Sequence, residues 1–410
     1  MMNKNLKKAL SLSVISLSVF TYSCNRKSDL LANPPEAKIE KASVETTDKE
    51  FLVKRRGLSH LQGDAAFESK YGAKIVKTIK PLLIDVITVE DKANIDEMSK
   101  DSSIEYVEPN YIRTMKIKTS DTSTSGVSSS SVQTASIMKA NSIYKGKSFT
   151  SIAVVSTGVD LNHPDLKNKL VTGYSTFNEN DSAQDINGAG THQAGLIVAS
   201  NASAGVYGVA PSCKVMPIKA MNEDGQAKDS NLIDGIVWAI DHGASVVTFT
   251  ADGVKPSKAF DDAIKYAYTK KVPLIVGSGD FENNEKSYPA ASNGVIAVSA
   301  LGDGAKATSN TGDWVSVSAP GVAIMSTSST KNSKIPSNYA ALSGSSVAAA
   351  YVAGQMALIK TKYPTLDMLG LRKHLELTTD DLGQPGPDNE TGFGKINVVK
   401  SLSVEPPKKK

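Results

Sequence analysis

Two hydrophobic rhythms follow one another along the chain. Between residues 50 and 112, short runs of β-branched and aromatic residues at 51–54, 73–79, 82–89 and 104–112 read as strands. Helical spacing fills 61–71, which Gly72 closes, and 92–100, where Ile95 and Met98 fall on one face. The β-α-β-β-α-β order predicts a small α+β unit of the split βαβ, ferredoxin-like kind.

From about Ile137 the pattern changes. Strand-length runs that are apolar on both faces occur at 151–156, 214–219, 245–250 and 272–277, and helical spacing recurs at 190–199, 231–242, 258–270, 346–362 and 366–377. Strands buried on both sides and alternating with helices predict an α/β fold built on a largely parallel, doubly wound sheet. No internal repeat is apparent.

The segments outside these patterns complete the organisation. Lys4, Lys7 and Lys8 precede an apolar stretch at 9–20 that is too short to span a membrane and suits a signal core. Ser23 then precedes Cys24, a spacing that resembles a bacterial lipoprotein signal with Cys24 as the lipidated first residue. This implies export to the cell envelope with a lipid anchor in the membrane, ordinary secretion being the alternative. The expected division is 1–23 signal, 24–49 tether, 50–115 small unit, 116–135 exposed linker, 136–402 large unit and 403–410 tail.

Composition changes this picture little. The 410 residues are 40% hydrophobic and 21% charged, as in ordinary globular proteins. The net charge of +4 is spread along the chain, and no basic patch interleaves with aromatics, so nucleic acid is not an expected partner. After Cys24 only Cys213 remains, which rules out an intrachain disulfide framework in the mature chain; Cys213 reads as a small buried residue.

Chemistry enters through a series of motifs. Residues 152–166 read IAVVSTGVDLNHPDL, 185–195 DINGAGTHQAG, 208–211 GVAP, 235–240 GIVWAI, 319–322 APGV and 344–354 GSSVAAAYVAG. In this order they resemble the subtilases, and 51–111 resembles that family's inhibitory prodomain. The resemblance implies a subtilisin-like fold with Ser346 at the nucleophile position.

It also implies three losses. Subtilase chemistry uses a histidine base, an aspartate that orients it and an asparagine that donates to the oxyanion. Here the aspartate position holds Ser156, the histidine position Ala189 and the asparagine position Asp280. Ala189 cannot accept a proton, Ser156 has no imidazole to orient, and an ionised Asp280 opposes the negative charge of an oxyanion. The acidic-site relatives carry aspartate at the last position, but they need acids where Ala189 and Gln193 stand. Ser346 thus reads as a helix-capping serine or as a nucleophile without its base.

Around the substrate cleft, Thr250, Ala251 and Asp252 depart from the family pattern, with Asp252 replacing a glycine where a peptide backbone approaches. Asp165 belongs to a family calcium site, but Ala202 stands where a side-chain ligand is expected, so neither a metal nor another cofactor is expected. The expectation is an exported subtilisin-like serine peptidase homologue that has lost catalysis and acts as a binding or structural envelope protein. Its partners would be the membrane, its own prodomain in the cleft (with the tail near 115–120 as a plug) and an unknown protein or peptide. The alternative is a weak serine endopeptidase or esterase that uses Ser346 with an unidentified base.

Overall fold

The computed structural model describes residues 46–57, 64–119, 127–178, 181–201, 206–281, 283–331 and 337–406. The signal, Cys24 and nearly all of the expected tether lie outside the described residues. No helix among the described residues is long and apolar enough to cross a membrane.

The small unit runs β1 (Thr46–Arg55), α1 (Asp64–Tyr71), β2 (Ala73–Ile79), β3 (Ile84–Val89), α2 (Ala93–Lys100) and β4 (Ile104–Thr114). Its strands are antiparallel in the order β4-β1-β3-β2, the split βαβ arrangement. Strand alternation sorts the side chains onto two faces. Phe51 and Val53 of β1, with Ile87 and Val89 of β3, pack with Phe67, Tyr71 and Met98 of the two helices. Leu52, Ile84 and Val86 point the other way, into the core of the large unit. Between the strands, Arg55 is buried and paired with the fully buried Asp85 at 2.7 Å.

The large unit continues with β5 (Lys118–Thr119), α3 (Val127–Ile143), β6 (Ser151–Ser156), β7 (Tyr174–Ser175), α4 (Ala189–Val198), β8 (Ser200–Asn201), β9 (Val206–Tyr207), β10 (Lys214–Lys219) and β11 (Gln226–Lys228). Then come α5 (Asp229–Asp241), β12 (Ala244–Phe249), α6 (Lys258–Thr269), β13 (Leu274–Gly277), β14 (Ile296–Leu301) and β15 (Val315–Pro320). The chain ends with β16 (Ile324–Thr327), β17 (Tyr339–Ser343), α7 (Ser345–Lys362), α8 (Met368–Leu377) and α9 (Val398–Ser403). Residues 116–135, expected as an exposed linker, instead hold β5 and the start of α3. Serine-rich spacing hid that helix, since its apolar anchors Ile137 and Ala140 lie beyond the polar run.

Seven parallel strands form the main sheet, in the order β15-β14-β13-β12-β6-β10-β7. Every residue of central β6 is buried. Ile152 and Val154 face the layer built by α4 and α7, while Ala153 and Val155 face α5 and α6. This two-sided burial is why the strand reads as an unbroken apolar run. Because chain order reverses around β6, a cleft opens at the carboxyl ends of β6, β12 and β13, where ligands bind in open α/β sheets.

The two units share one hydrogen-bonded sheet, because β11 of the large unit pairs with β4 of the small one. The Glu108 carboxylate accepts from Ser257 Oγ and from the backbone N–H groups of Lys258 and Ala259 at 2.7–2.9 Å, placing an anion at the start of α6. Lys54–Asp262 and Lys77–Asp234 ion pairs flank that contact.

Candidate active site

Each site residue stands at an element end because the sheet's topology puts it there. Ser156 closes β6, Ala189 opens α4, Asp280 follows β13, and Ser346 sits in the first turn of α7. All four are buried. Helix α4 packs on α7 and on β6, which brings these ends to one edge of the sheet.

The start of α7 is organised by Asp280. Gly344 precedes the helix with φ at 152° and supplies no side-chain cap. The Asp280 carboxylate instead accepts from Ser345 N at 2.6 Å and Ser345 Oγ at 3.0 Å, so a fixed anion satisfies the helix N-terminus. The capping expected of Ser346 therefore falls to Asp280 together with Ser345. Ser346 Oγ is buried with no hydrogen-bond partner among the described residues. Among acids of the cleft, a second one lies close behind: Asp252 accepts from Asp280 N at 2.9 Å and from Ser287 Oγ at 3.3 Å. Burial, and then the charge of Asp280, hold the Asp252 carboxyl well above the ordinary aspartate range, with Lys116 opposing.

The cleft is filled by the chain itself. Leaving the small unit, β4 pairs with β11 in the register Ile112–Lys228, Arg113–Ala227 and Thr114–Gln226. On its other side Thr114 exchanges two backbone hydrogen bonds with Asp252, at 3.2 and 2.7 Å. Met115 N then donates to Gly225 O at 2.8 Å, and Lys118–Thr119 pairs with Leu342–Ser343. Thus Asp252 does not keep an extended strand out, as its replacement of a glycine suggested. Its carboxylate turns down towards Asp280 N and Ser287, leaving its backbone free to pair. Thr250 and Ala251 are buried beneath this strand and do not line an open pocket.

Met115 is the side chain at the centre. Its sulfur lies 3.9 Å from Ser156 Oγ and 3.8 Å from Gln193 Nε2, and its apolar surface joins Ala189 in one buried cluster. Lys116 follows, its Nζ 4.5 Å from the Phe281 ring centroid. The Lys116 carbonyl oxygen is 3.3 Å from the point that a Cβ on Gly344 would occupy, and both Asp280 Oδ2 and Ser346 Oγ are 3.5 Å from that point. The tail thus passes the start of α7 at Lys116.

The remaining polar residues hold the frame. His192 Nε2 lies 2.9 Å from Ile324 O, and burial lowers its pKa to about 4. Asp185 is fully buried and accepts from Thr157, from the backbone N–H groups of Asn187 and Gly188, and from Thr191, fixing the turn into α4. His163 Nε2 meets Asn338 O at 2.8 Å, and Asp165 accepts from the Tyr339 hydroxyl at 2.6 Å. No group of three or more His, Cys, Asp or Glu side chains suited to a metal occurs among the described residues.

A doubly wound sheet with a serine at the start of a buried helix, and a small α+β unit feeding a strand across it, defines a subtilisin-type protein. Residues 147–394 match the model of the subtilase family, and 32–110 match that of the fervidolysin N-terminal prodomain. The chain belongs to the subtilase family. It is 29% identical over 367 residues to the thermophilic serine proteinase of Bacillus sp. strain AK1, covering 88% of this chain and 86% of that protein. Over 374 residues it is 30% identical to subtilisin J of Geobacillus stearothermophilus, covering 88% and 92% respectively. The crystal structure of fervidolysin from Fervidobacterium pennivorans, a keratinolytic enzyme related to subtilisin, superposes with a TM-score of 0.76 at 29% identity. That match covers 88% of this chain and 62% of the fervidolysin chain.

Proposed function

We propose that this chain is an exported subtilase homologue that no longer cuts and acts by binding. On this reading Cys24 carries a lipid that holds the protein at the cell envelope, the tether ends before β1 begins at Thr46, and the prodomain stays covalently attached. One observation carries the reading: the Met115 sulfur lies against Ser156 and Gln193, beside the positions that the family resemblance gives to the catalytic aspartate and histidine, here Ser156 and Ala189. Neither Ser156 nor Ala189 carries a titratable nitrogen to take the proton of Ser346. In subtilisin, loss of the histidine alone costs about 10⁶ in turnover, which from a typical ~10 s⁻¹ leaves roughly one event per day. Asp280 adds a second obstacle, a carboxylate at the start of α7 where a substrate oxyanion would gather negative charge.

The test is self-cleavage, because an intramolecular reaction reveals activity too feeble for any added substrate. The intact mass of residues 25–410 is followed for days at acidic and mildly alkaline pH, beside a Ser346→Ala control. An unchanged mass in both supports the binding reading. A cut after Lys116 in the Ser346 form alone means that a hidden base exists, and overturns it.

A further inference from the structure

On the reading that the cleft binds rather than cuts, we propose that its ligand is an extended basic peptide segment of a partner protein. That segment places an arginine where Arg113 sits, an unbranched apolar residue two positions on, and a lysine directly after that. The tail of the prodomain is an internal copy of this ligand.

The arginine site is the most specific part. The Arg113 side chain leaves β4 and enters a pocket of the large unit, with the Tyr111 ring of its own strand 5.3 Å from the guanidinium carbon. Its Nε and Nη2 donate to the two carboxylate oxygens of Asp229 at 2.7 and 2.8 Å, a two-pronged geometry that a lysine cannot reproduce. Its Nη1 donates to Lys255 O at 2.8 Å and Tyr288 O at 3.4 Å. The guanidinium carbon lies 5.9 Å from the centre of the Phe260 ring. Arg113 is 1% exposed and Asp229 is fully buried. Gly253 leaves the room that the guanidinium needs, since a Cβ there would fall 2.3 Å from Nη1.

The rest of the recognition is divided as in strand addition to a sheet edge, with main-chain bonds holding any sequence and alternate pockets selecting among sequences. Gly225, Ala227 and Asp252 supply the main-chain bonds. The space beside Ser156 and Gln193 takes the Met115 side chain, and the Phe281 ring takes the Lys116 ammonium. All these groups belong to the large unit and stay behind when the tail leaves. Asp229 would then be a buried carboxylate without the Arg113 countercharge, so the emptied cleft favours a cationic side chain, and its two-pronged geometry favours a guanidinium over an ammonium. While the tail is in place its effective concentration, of millimolar order, keeps weaker outside ligands away.

The experiment uses residues 25–410 carrying Arg113→Ala and Met115→Ala, which weaken the tail without removing it. Three fluorescent peptides are compared by anisotropy: the chain's own 111–118 sequence, and the same peptide with its arginine replaced by lysine or by alanine. The arginine peptide should bind the double variant, at least about tenfold more tightly than the other two. Adding Asp229→Asn should erase that preference, and the unaltered chain should bind none of the three. Equal binding of all three peptides, or no binding to a folded double variant, overturns the proposal. If the double variant does not fold, Arg113→Lys decides. The proposal expects a lower melting temperature and faster amide exchange at Met115 and Lys116, and unchanged values sink it. Mass analysis of the bound peptide keeps the two ideas apart: cleavage would refute the non-catalytic reading while leaving arginine selectivity standing.

Discussion

Asp280 and Ser345 are joined twice, carboxylate to backbone N–H and carboxylate to hydroxyl, at 2.6 and 3.0 Å. The first turn of α7 therefore has its own resident carboxylate. This relationship explains how a buried acid is tolerated at the end of β13. The helix N-terminus needs acceptors, and Asp280 supplies them.

Restoring chemistry should accordingly require several changes at once. On the non-catalytic reading, Asp280→Asn alone should leave the chain uncut, because it restores no histidine at position 189. The triple variant Ser156→Asp, Ala189→His, Asp280→Asn should cut itself after Lys116 within hours, a gain of several orders of magnitude over the parent chain. N-terminal sequencing of the product would show Ile117 first. A triple variant that folds and stays intact would mean that the displaced Met115 still blocks the imidazole.

Truncating Met115 tests how firmly the tail is seated. Its side chain is 5% exposed and lies in the core cluster shared by both units. Met115→Ala should destabilise the protein by about 2–4 kcal/mol, the usual cost of emptying such a site. Urea unfolding measures this directly. A loss below about 0.5 kcal/mol, the scale of surface substitutions, would show that the plug contributes little to holding the prodomain.

His192 should give the stability a pH dependence. Its folded pKa is about 4, lowered by burial, against ~6.5 when unfolded. The unfolded chain therefore binds a proton that the folded chain refuses, and stability is lost as pH falls from about 6.5 towards 4. The full effect is of order 3 kcal/mol. Comparing unfolding of the parent with His192→Gln across that window should show the parent losing stability more steeply. Parallel curves would assign the acid sensitivity elsewhere.

Cys213 should be chemically silent. It is fully buried, and its thiol is pushed up to about 11 by that burial. A disulfide reagent at mildly alkaline pH should leave it untouched in the native protein and label it at the rate of unfolding. Rapid labelling of folded protein would contradict the packing around it.

The parts that were legible in the sequence are those written in periodicity. The two-sided burial of Ser151–Ser156 and Lys214–Lys219 produces apolar runs that mark central strands before any coordinate is known. The motif around Ser346 is likewise contiguous along α7. What stayed hidden depends on residues distant in sequence. Nothing in the local pattern ties Arg113 to Asp229, or Asp280 to Ser345, because each pair is assembled by the sheet. Helix α3 was missed for the opposite reason, since its polar first half lacks the spacing that marks a buried face. The direction of the Asp252 side chain is not written in its residue type: its carboxylate turns towards Asp280 N and Ser287 while its backbone holds the strand.

The pairing of β4 with β11 has a consequence for how the protein meets its surroundings. On the reading that the prodomain stays attached, the surface of the protein does not belong to one unit alone. Here a seam of strand pairing and buried ion pairs joins two units into a single outer face. Any antibody or receptor raised against the whole molecule would encounter ground that neither unit possesses by itself. The identity of this protein to its neighbours would then lie as much along that seam as in the cleft it closes.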